Sequence, residues 1–212
     1  MSNEISTFAP PAGALDTASY ANSLQIAAHS NVGGARDPIL RLGRDGVWVY
    51  GQSNVELEDD TKIVVNPFAI QHGFQVWASS VTALLEEAWV SVAAPRPEPQ
   101  RDLSDSRGPQ HGFKFQMQIA TGEDKGVDIV YAPTSVGGKN AATKLIGEIA
   151  AKVASEGAEG KIVPLISVAA DHYVHKQYGK TYVPEITIVD WLPAGASAVE
   201  DEEPEPKRRR RA

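Results

Sequence analysis

The strongest constraint on the fold is a strict alternation of apolar and polar residues over 113–119. Successive side chains of a β-strand point to opposite faces of a sheet, so this run predicts a strand with one buried face. Its apolar members are Phe113, Phe115, Met117 and Ile119. A glycine-bounded turn over 122–126 and a second apolar run over 127–131 follow, which together predict a hairpin.

Other short runs of β-forming residues extend this pattern along the chain. An Asp45-Gly46 turn lies between two such runs, and Gly accepts the positive φ that a tight hairpin turn needs. Residues 81–94 are ambiguous, because Leu84-Leu85-Glu86-Glu87 favours a helix and Trp89-Val90-Ser91-Val92 favours a strand. The remaining predicted strands are 39–42, 47–50, 62–65, 74–78, 161–168 and 181–191.

A single segment, 139–154, has the periodicity of an amphipathic helix. Its apolar residues recur at helical spacing, opposite Lys144, Glu148 and Lys152. They are Ala142, Leu145, Ile146, Ile149, Ala150 and Val153. Many short strands with one inserted helix predict a mainly-β fold, and the arrangement favours an OB-like antiparallel barrel. A mixed sandwich is the alternative.

The chain divides into one domain with two tails. We expect residues 36–192 to form the β domain and residues 1–35, rich in small residues and proline, to be a flexible N-terminal arm. Residues 95–110 contain four prolines and predict a long mobile loop. The segment 193–212 is acidic and then basic, and it lacks the apolar surface that folding needs, so we expect it to be disordered.

Composition excludes several classes of protein. There is no cysteine, which excludes disulfides and thiolate chemistry. The N-terminus does not have the pattern of a signal peptide, and no window approaches the roughly 18 apolar residues of a membrane span, so we expect a cytoplasmic protein with no membrane partner. The formal net charge is −7, of which residues 1–110 carry −6, and this argues against duplex DNA binding through bulk charge.

One segment, 172–182, combines basic and aromatic residues without an acid. Its eleven residues include two Lys, two His and three Tyr. Aromatic rings stack on bases and interleaved cations hold phosphates, which predicts contact with a single-stranded nucleic acid. The competing interpretation is a hairpin whose tyrosines pack on the core.

Other residues extend this hypothesis. We expect rings to stack bases and basic side chains to meet phosphates; the candidates are Trp48, Tyr50, Trp77, Lys114, Lys139, His172, His175, Lys176, Tyr178, Lys180 and Tyr182. Gly137-Gly138-Lys139 lacks the spacing of a phosphate-binding loop of nucleotide hydrolases. His172 and His175 lack a convincing third metal ligand. No catalytic constellation is evident, so we expect neither an enzyme nor a cofactor.

Several motifs together resemble a family of small proteins of tailed bacteriophages. They are GVWVYG at 46–51, VNPF at 65–68, HGFQVW at 72–77, GEDKG at 122–126, TSVGGK at 134–139 and HYVHKQYGKTYVP at 172–184. Some members resemble phage single-stranded DNA-binding proteins of OB fold. The resemblance implies a non-catalytic protein that binds single-stranded DNA during replication or recombination, in contact with phage or host proteins of those processes. A protein-interaction module that inhibits a host factor and a virion structural protein are the alternatives, and self-association is compatible with each.

Overall fold

The computed structural model describes residues 38–156, 160–177 and 179–194. The expected N-terminal arm and nearly all of the expected C-terminal tail lie outside these residues. The strands are β1 (Ile39–Leu42), β2 (Trp48–Tyr50), β3 (Val55–Glu56), β4 (Lys62–Val65), β5 (Gln71–Ala78), β6 (Leu84–Ser91), β7 (Ser106–Ile119), β8 (Asp128–Tyr131), β9 (Lys161–His175) and β10 (Gly179–Pro193). The helix, α1, spans Val136–Glu156.

These strands form one mixed sheet, which confirms the prediction of a mainly-β fold with one helix. The main path through the sheet runs β10-β9-β4-β7-β8-β1-β2-β3, and β5 pairs with β6 and β7 beside it. The pair of β1 and β8 is parallel, and the other pairs are antiparallel. The path has two open ends among the described strands, so the closed OB-like barrel is not confirmed.

The alternating strand recognised in the sequence is the centre of the sheet. This strand, β7, has 14 residues rather than seven, and its first part pairs with β5 while its last part pairs with β4 and β8. Phe115 and Ile119 are almost fully buried, as the alternation predicts. The hairpins of β1 with β2 and of β7 with β8 also form as expected.

The main core lies between this sheet and α1. Leu145 and Ile149 of the helix pack in one cluster with Phe115 and Ile166 of the sheet. The helix begins after Ser135, whose side-chain oxygen accepts a hydrogen bond from the backbone N–H of Gly138 at 3.1 Å. Such a cap satisfies a donor that the first helical turn leaves without a partner.

The expected loop at 95–110 is shorter and more tightly held than its sequence suggests. Residues 106–110 belong to β7, and the ambiguous segment 81–94 supplies the strand β6. The Glu86 carboxylate of β6 accepts hydrogen bonds from the backbone N–H groups of Gln100 at 2.9 Å and Arg101 at 3.3 Å. The remaining loop therefore has defined contacts with the sheet.

Candidate nucleic-acid interface

The hairpin of β9 and β10 extends beyond the rest of the sheet. Each of these strands has 15 residues, but β4 pairs with β9 only as far as Ser167. We call residues 168–186 the arm, of which all but Tyr178 are described. The eight residues from Val168 to His175 span about 26 Å at the usual rise of a β-strand. The segment singled out in the sequence forms the outer part of this arm.

Three contacts hold the base of the arm on the domain. The indole N–H of Trp48 donates a hydrogen bond to the carbonyl oxygen of Ala169 at 2.9 Å. The ring of Tyr182 lies against Gly46, where an added Cβ would be 2.6 Å from the ring. Gly46 also has a φ of +88°, so the turn needs glycine both for its backbone conformation and for this close approach. The arm is therefore positioned by β2 and by the turn before it.

A third support comes from the start of α1. An added Cβ on Gly137 would lie 3.0 Å from Cγ1 of Val183. The helix therefore begins beside the base of the arm, and Lys139 follows two residues later. Lys139 is half-buried.

The two faces of the arm carry different side chains. Cross-strand pairs share a face, and the register pairs His172 with Tyr182 and Val174 with Lys180. On this face the Lys180 ammonium lies 4.7 Å from the centroid of the Tyr182 ring, and the rings of His172 and Tyr182 are 5.8 Å apart. The Tyr182 ring is thus occupied by contacts within the protein.

The opposite face presents a more accessible ring. Tyr173 pairs with Thr181 across the hairpin, and its ring lies 6.3 Å from that of His175 in an edge-on arrangement. Tyr173 is 49% exposed, so a large part of its ring surface is open to solvent. Lys176 is exposed in the turn that follows His175.

Positive charge is concentrated at the outer part of the arm. The carboxylates closest to it in the sequence, Asp171 and Glu185, lie toward the base, and Asp171 accepts a hydrogen bond from the backbone N–H of His172. Neither Lys176 nor Lys180 forms an ion pair among the described residues. In a chain with a net charge of −7, the tip is a local basic surface.

The structure brings only part of the predicted set together. His172, His175, Lys176, Lys180 and Tyr182 share the arm, and Tyr178 lies outside the described residues.

Trp48 and Tyr50 are each only 6% exposed, and they belong to the main core. Burial, followed by the hydrogen bond to Asp124 and its charge, raises the pKa of Tyr50 to about 12. Buried rings cannot stack on a base, and the interface therefore excludes both residues.

Trp77 and Lys114 lie toward the other end of the sheet. The arm leaves the sheet at the end where Ile119 of β7 aligns with Ile63 and Ile166, whereas Lys114 comes five residues earlier on β7. That separation is about 16 Å along the strand. Lys114 pairs with Gln71 at the start of β5, and Trp77 lies six residues further along β5. Neither residue joins the arm.

Two residues of this region were absent from the predicted set. Tyr173 is the more exposed tyrosine of the described arm, and the hairpin register, which pairs it with Thr181, places it on the face opposite to that of Tyr182. Arg44 is exposed in the turn that contacts Tyr182 through Gly46. No local signal identifies Arg44, because the contact of its turn with the arm joins residues far apart in the chain.

The described residues contain no group of three or more His, Asp or Glu side chains that could hold a metal ion. Within the same residues, no helix has the length and apolar character needed to cross a membrane. Comparison with known protein families, with curated proteins and with solved structures finds no significant match.

Proposed function

We propose that the chain is a non-catalytic protein that binds single-stranded DNA through the arm. The observation that carries this proposal is the concentration of basic and aromatic side chains at the tip of the arm, without a carboxylate, in a protein of net negative charge. The partner that matches this chemistry is a flexible polyanion with exposed bases.

Each part of the arm has a role in this proposal. Lys176 and Lys180 contact phosphates, and the exposed ring of Tyr173 stacks on a base. Stacking of this kind contributes roughly 1–3 kcal/mol per base. His172 and the Lys180–Tyr182 contact hold the second face of the arm in place. Arg44 and Lys139, which lie beside the base of the arm, provide further contacts to the DNA phosphates.

Charge favours a single strand over a duplex. Bulk attraction to duplex DNA is weak for a chain of net charge −7, so stacking must supply part of the affinity. The bases of a duplex are already stacked on one another and do not offer free faces to Tyr173. Replication and recombination of a bacteriophage genome expose such single strands. We include in this proposal that the open sheet is related to the OB fold.

A fluorescence-anisotropy titration with oligo-dT at 50 and 200 mM salt tests the proposal. Single strands lose binding with a log–log slope of about −0.7 per phosphate neutralised, so the two arm lysines predict a slope of at least about −1.4. The Lys176→Gln/Lys180→Gln variant should reduce the slope by the same amount. The matched variant Lys144→Gln/Lys161→Gln should leave it unchanged. Free oligonucleotide at tens of micromolar protein in 50 mM salt would refute the proposal.

A protein contact is the second candidate, and a specific observation favours it. Val174 is 80% exposed near the tip, and a valine contributes nothing to phosphate binding. An exposed apolar residue on a projecting hairpin fits a pocket on another protein, which agrees with an interaction module or a virion subunit. A Val174→Asp variant that binds oligo-dT normally but no longer co-purifies with a partner would favour this candidate.

A further inference from the structure

We infer that the solvent face of β6, β5 and the first part of β7 is a second binding site, suited to an uncharged saccharide. This face lies toward the opposite end of the sheet from the arm and has no part in the proposed DNA binding. We call it the indole face. Its residues are Gln71, Gly73, Gln75 and Trp77 on β5, Glu87, Trp89 and Ser91 on β6, and Gln110, Gly112 and Lys114 on β7.

Two glycines lie beside the ring of one tryptophan on this face. Trp89, Gly73 and Gly112 form a row across the three strands. An added Cβ at Gly73 would lie 1.9 Å from the carbonyl oxygen of Ala88 and 2.9 Å from the Trp89 ring. An added Cβ at Gly112 would lie 3.1 Å from the carbonyl oxygen of Pro133 and 4.0 Å from the same ring. The indole therefore lies flat across β5 and reaches toward β7. One face of the ring rests on the backbone, and Trp89 remains partly exposed.

Hydrogen bonds fix this ring in its orientation. The indole N–H of Trp89 donates to the Glu87 carboxylate at 3.3 Å, and the side-chain amide of Gln75 donates to the same oxygen at 3.2 Å. A ring that is held in place before binding loses little conformational entropy when a ligand stacks on it.

A second tryptophan shares the face. Along β5, Val76 and Ala78 are buried while Gln75 and Trp77 are partly exposed, so Trp77 points to the same side as Gln75 and Gly73. Gly73, beneath the Trp89 ring, and Trp77 are four residues apart, or about 13 Å along the strand. Two partly exposed indoles at this separation can contact two different rings of one oligosaccharide.

Polar groups with unused hydrogen-bonding capacity surround the two rings. The side-chain amides of Gln71 and Gln110 form no hydrogen bond with a described residue, and neither does the indole N–H of Trp77. Amides both donate and accept, which suits the hydroxyl groups of a sugar. The apolar C–H face of a pyranose ring gains by leaving water for an indole surface.

The charge of the face selects this ligand class. The three strands place one carboxylate, Glu87, and one ammonium, Lys114, on this side of the sheet, and the exposed Arg107 lies opposite Trp77 where the register of β5 with β7 shifts. A polyanion needs several cations along its backbone. A protein partner needs an apolar centre, and this face has amides between its rings. The ligand class that fits this face is therefore a neutral molecule rich in hydroxyl groups.

Indole resonances in a ¹H–¹⁵N NMR titration test the inference. The probes are cellohexaose, chitohexaose and maltoheptaose, each added to the full chain. We expect at least one probe to shift the N–H signals of Trp77 and Trp89 saturably, with a Kd of about 1 mM or tighter, while the Trp48 signal stays in place. No saturable shift with any probe at about 10 mM would overturn the inference.

Variants separate the site from a purely structural tryptophan. Trp89 covers the backbone and its loss can disturb folding, so the test uses Trp77→Ala and Gln75→Ala/Gln110→Ala. Each should weaken the affinity about tenfold or more, and Lys144→Ala should leave it unchanged. Unchanged affinity in both indole-face variants, or the same shifts with oligo-dT in place of a sugar, would contradict the inference. Either result leaves the DNA-binding test of the arm unaffected.

Discussion

Charge reversal at the tip of the arm, Lys176→Glu with Lys180→Glu, is expected to weaken oligo-dT binding by about 100-fold or more. Each substitution removes one phosphate contact and adds a repulsive charge, and a loss of about 1.4 kcal/mol at each position already gives a factor of 100. Both side chains are exposed and neither forms an ion pair among the described residues, so the core should stay folded, while Lys180→Glu also removes the contact with the Tyr182 ring. Anisotropy at about 0.1 M salt measures the affinity.

A matched pair of variants distinguishes a local site from bulk charge. Lys144→Glu with Lys161→Glu changes the net charge by the same amount, away from the outer arm. Lys144 is on α1, and Lys161 begins β9 at the end opposite the tip. This pair should bind oligo-dT within about threefold of the wild type, since the long-range part of the field is screened beyond about 10 Å. Equal losses from the two pairs would show that net charge, and not the arm, governs binding.

The Phe115→Ala substitution is expected to cost about 3–5 kcal/mol of the free energy of unfolding, because it leaves a cavity in the core. Phe115 is fully buried at the centre of β7, and its ring packs against Tyr131 at a centroid distance of 6.2 Å. Urea unfolding followed by circular dichroism measures the change, and the m-value should stay at the wild-type level.

The control for this prediction is a phenylalanine on the surface. Phe68 is 57% exposed, so Phe68→Ala should change the free energy of unfolding by less than about 0.5 kcal/mol. A loss below about 1 kcal/mol for Phe115→Ala would mean that β7 is not the centre of the core.

Local patterns were sufficient for most strands and for the helix. Two patterns predict which face of an element is buried: the alternation over 113–119 and the helical spacing over 139–154. The structure has the corresponding strand and helix. The ambiguity at 84–87 arose because Leu and Glu are strong helix formers. Pairing with β5 and the contacts of Glu86 with the following loop override that preference.

Long-range arrangement could not be predicted in the same way. The sequence indicates that one of the pairs Val47/Val49 and Trp48/Tyr50 faces the core, but only the assembled sheet shows that the aromatic pair does. Nor does the sequence show that β4 stops pairing at Ser167 and leaves the outer hairpin free. Such partners are far apart in the chain, and their contacts leave no local signal.

The sequence pattern locates the arm but does not identify every residue that lies against it. The basic and aromatic segment 172–182 proved to be a projecting arm with its two lysines exposed. Tyr182 is partly occupied by Gly46 and Lys180, and Tyr173 offers the more open ring. Trp77 belongs to the indole face, where its neighbours include two glycines and three glutamines instead of the lysines and histidines of the arm.

The most direct test of where the nucleic acid lies is ultraviolet cross-linking of the full chain to oligo-dT. Mass spectrometry then maps the adducts. The account predicts adducts on Tyr173 and on the peptide that spans 171–183, with their yield falling as salt rises. Oligo-dT that binds the chain but cross-links to Trp77 or Trp89, and never to the arm, would contradict it.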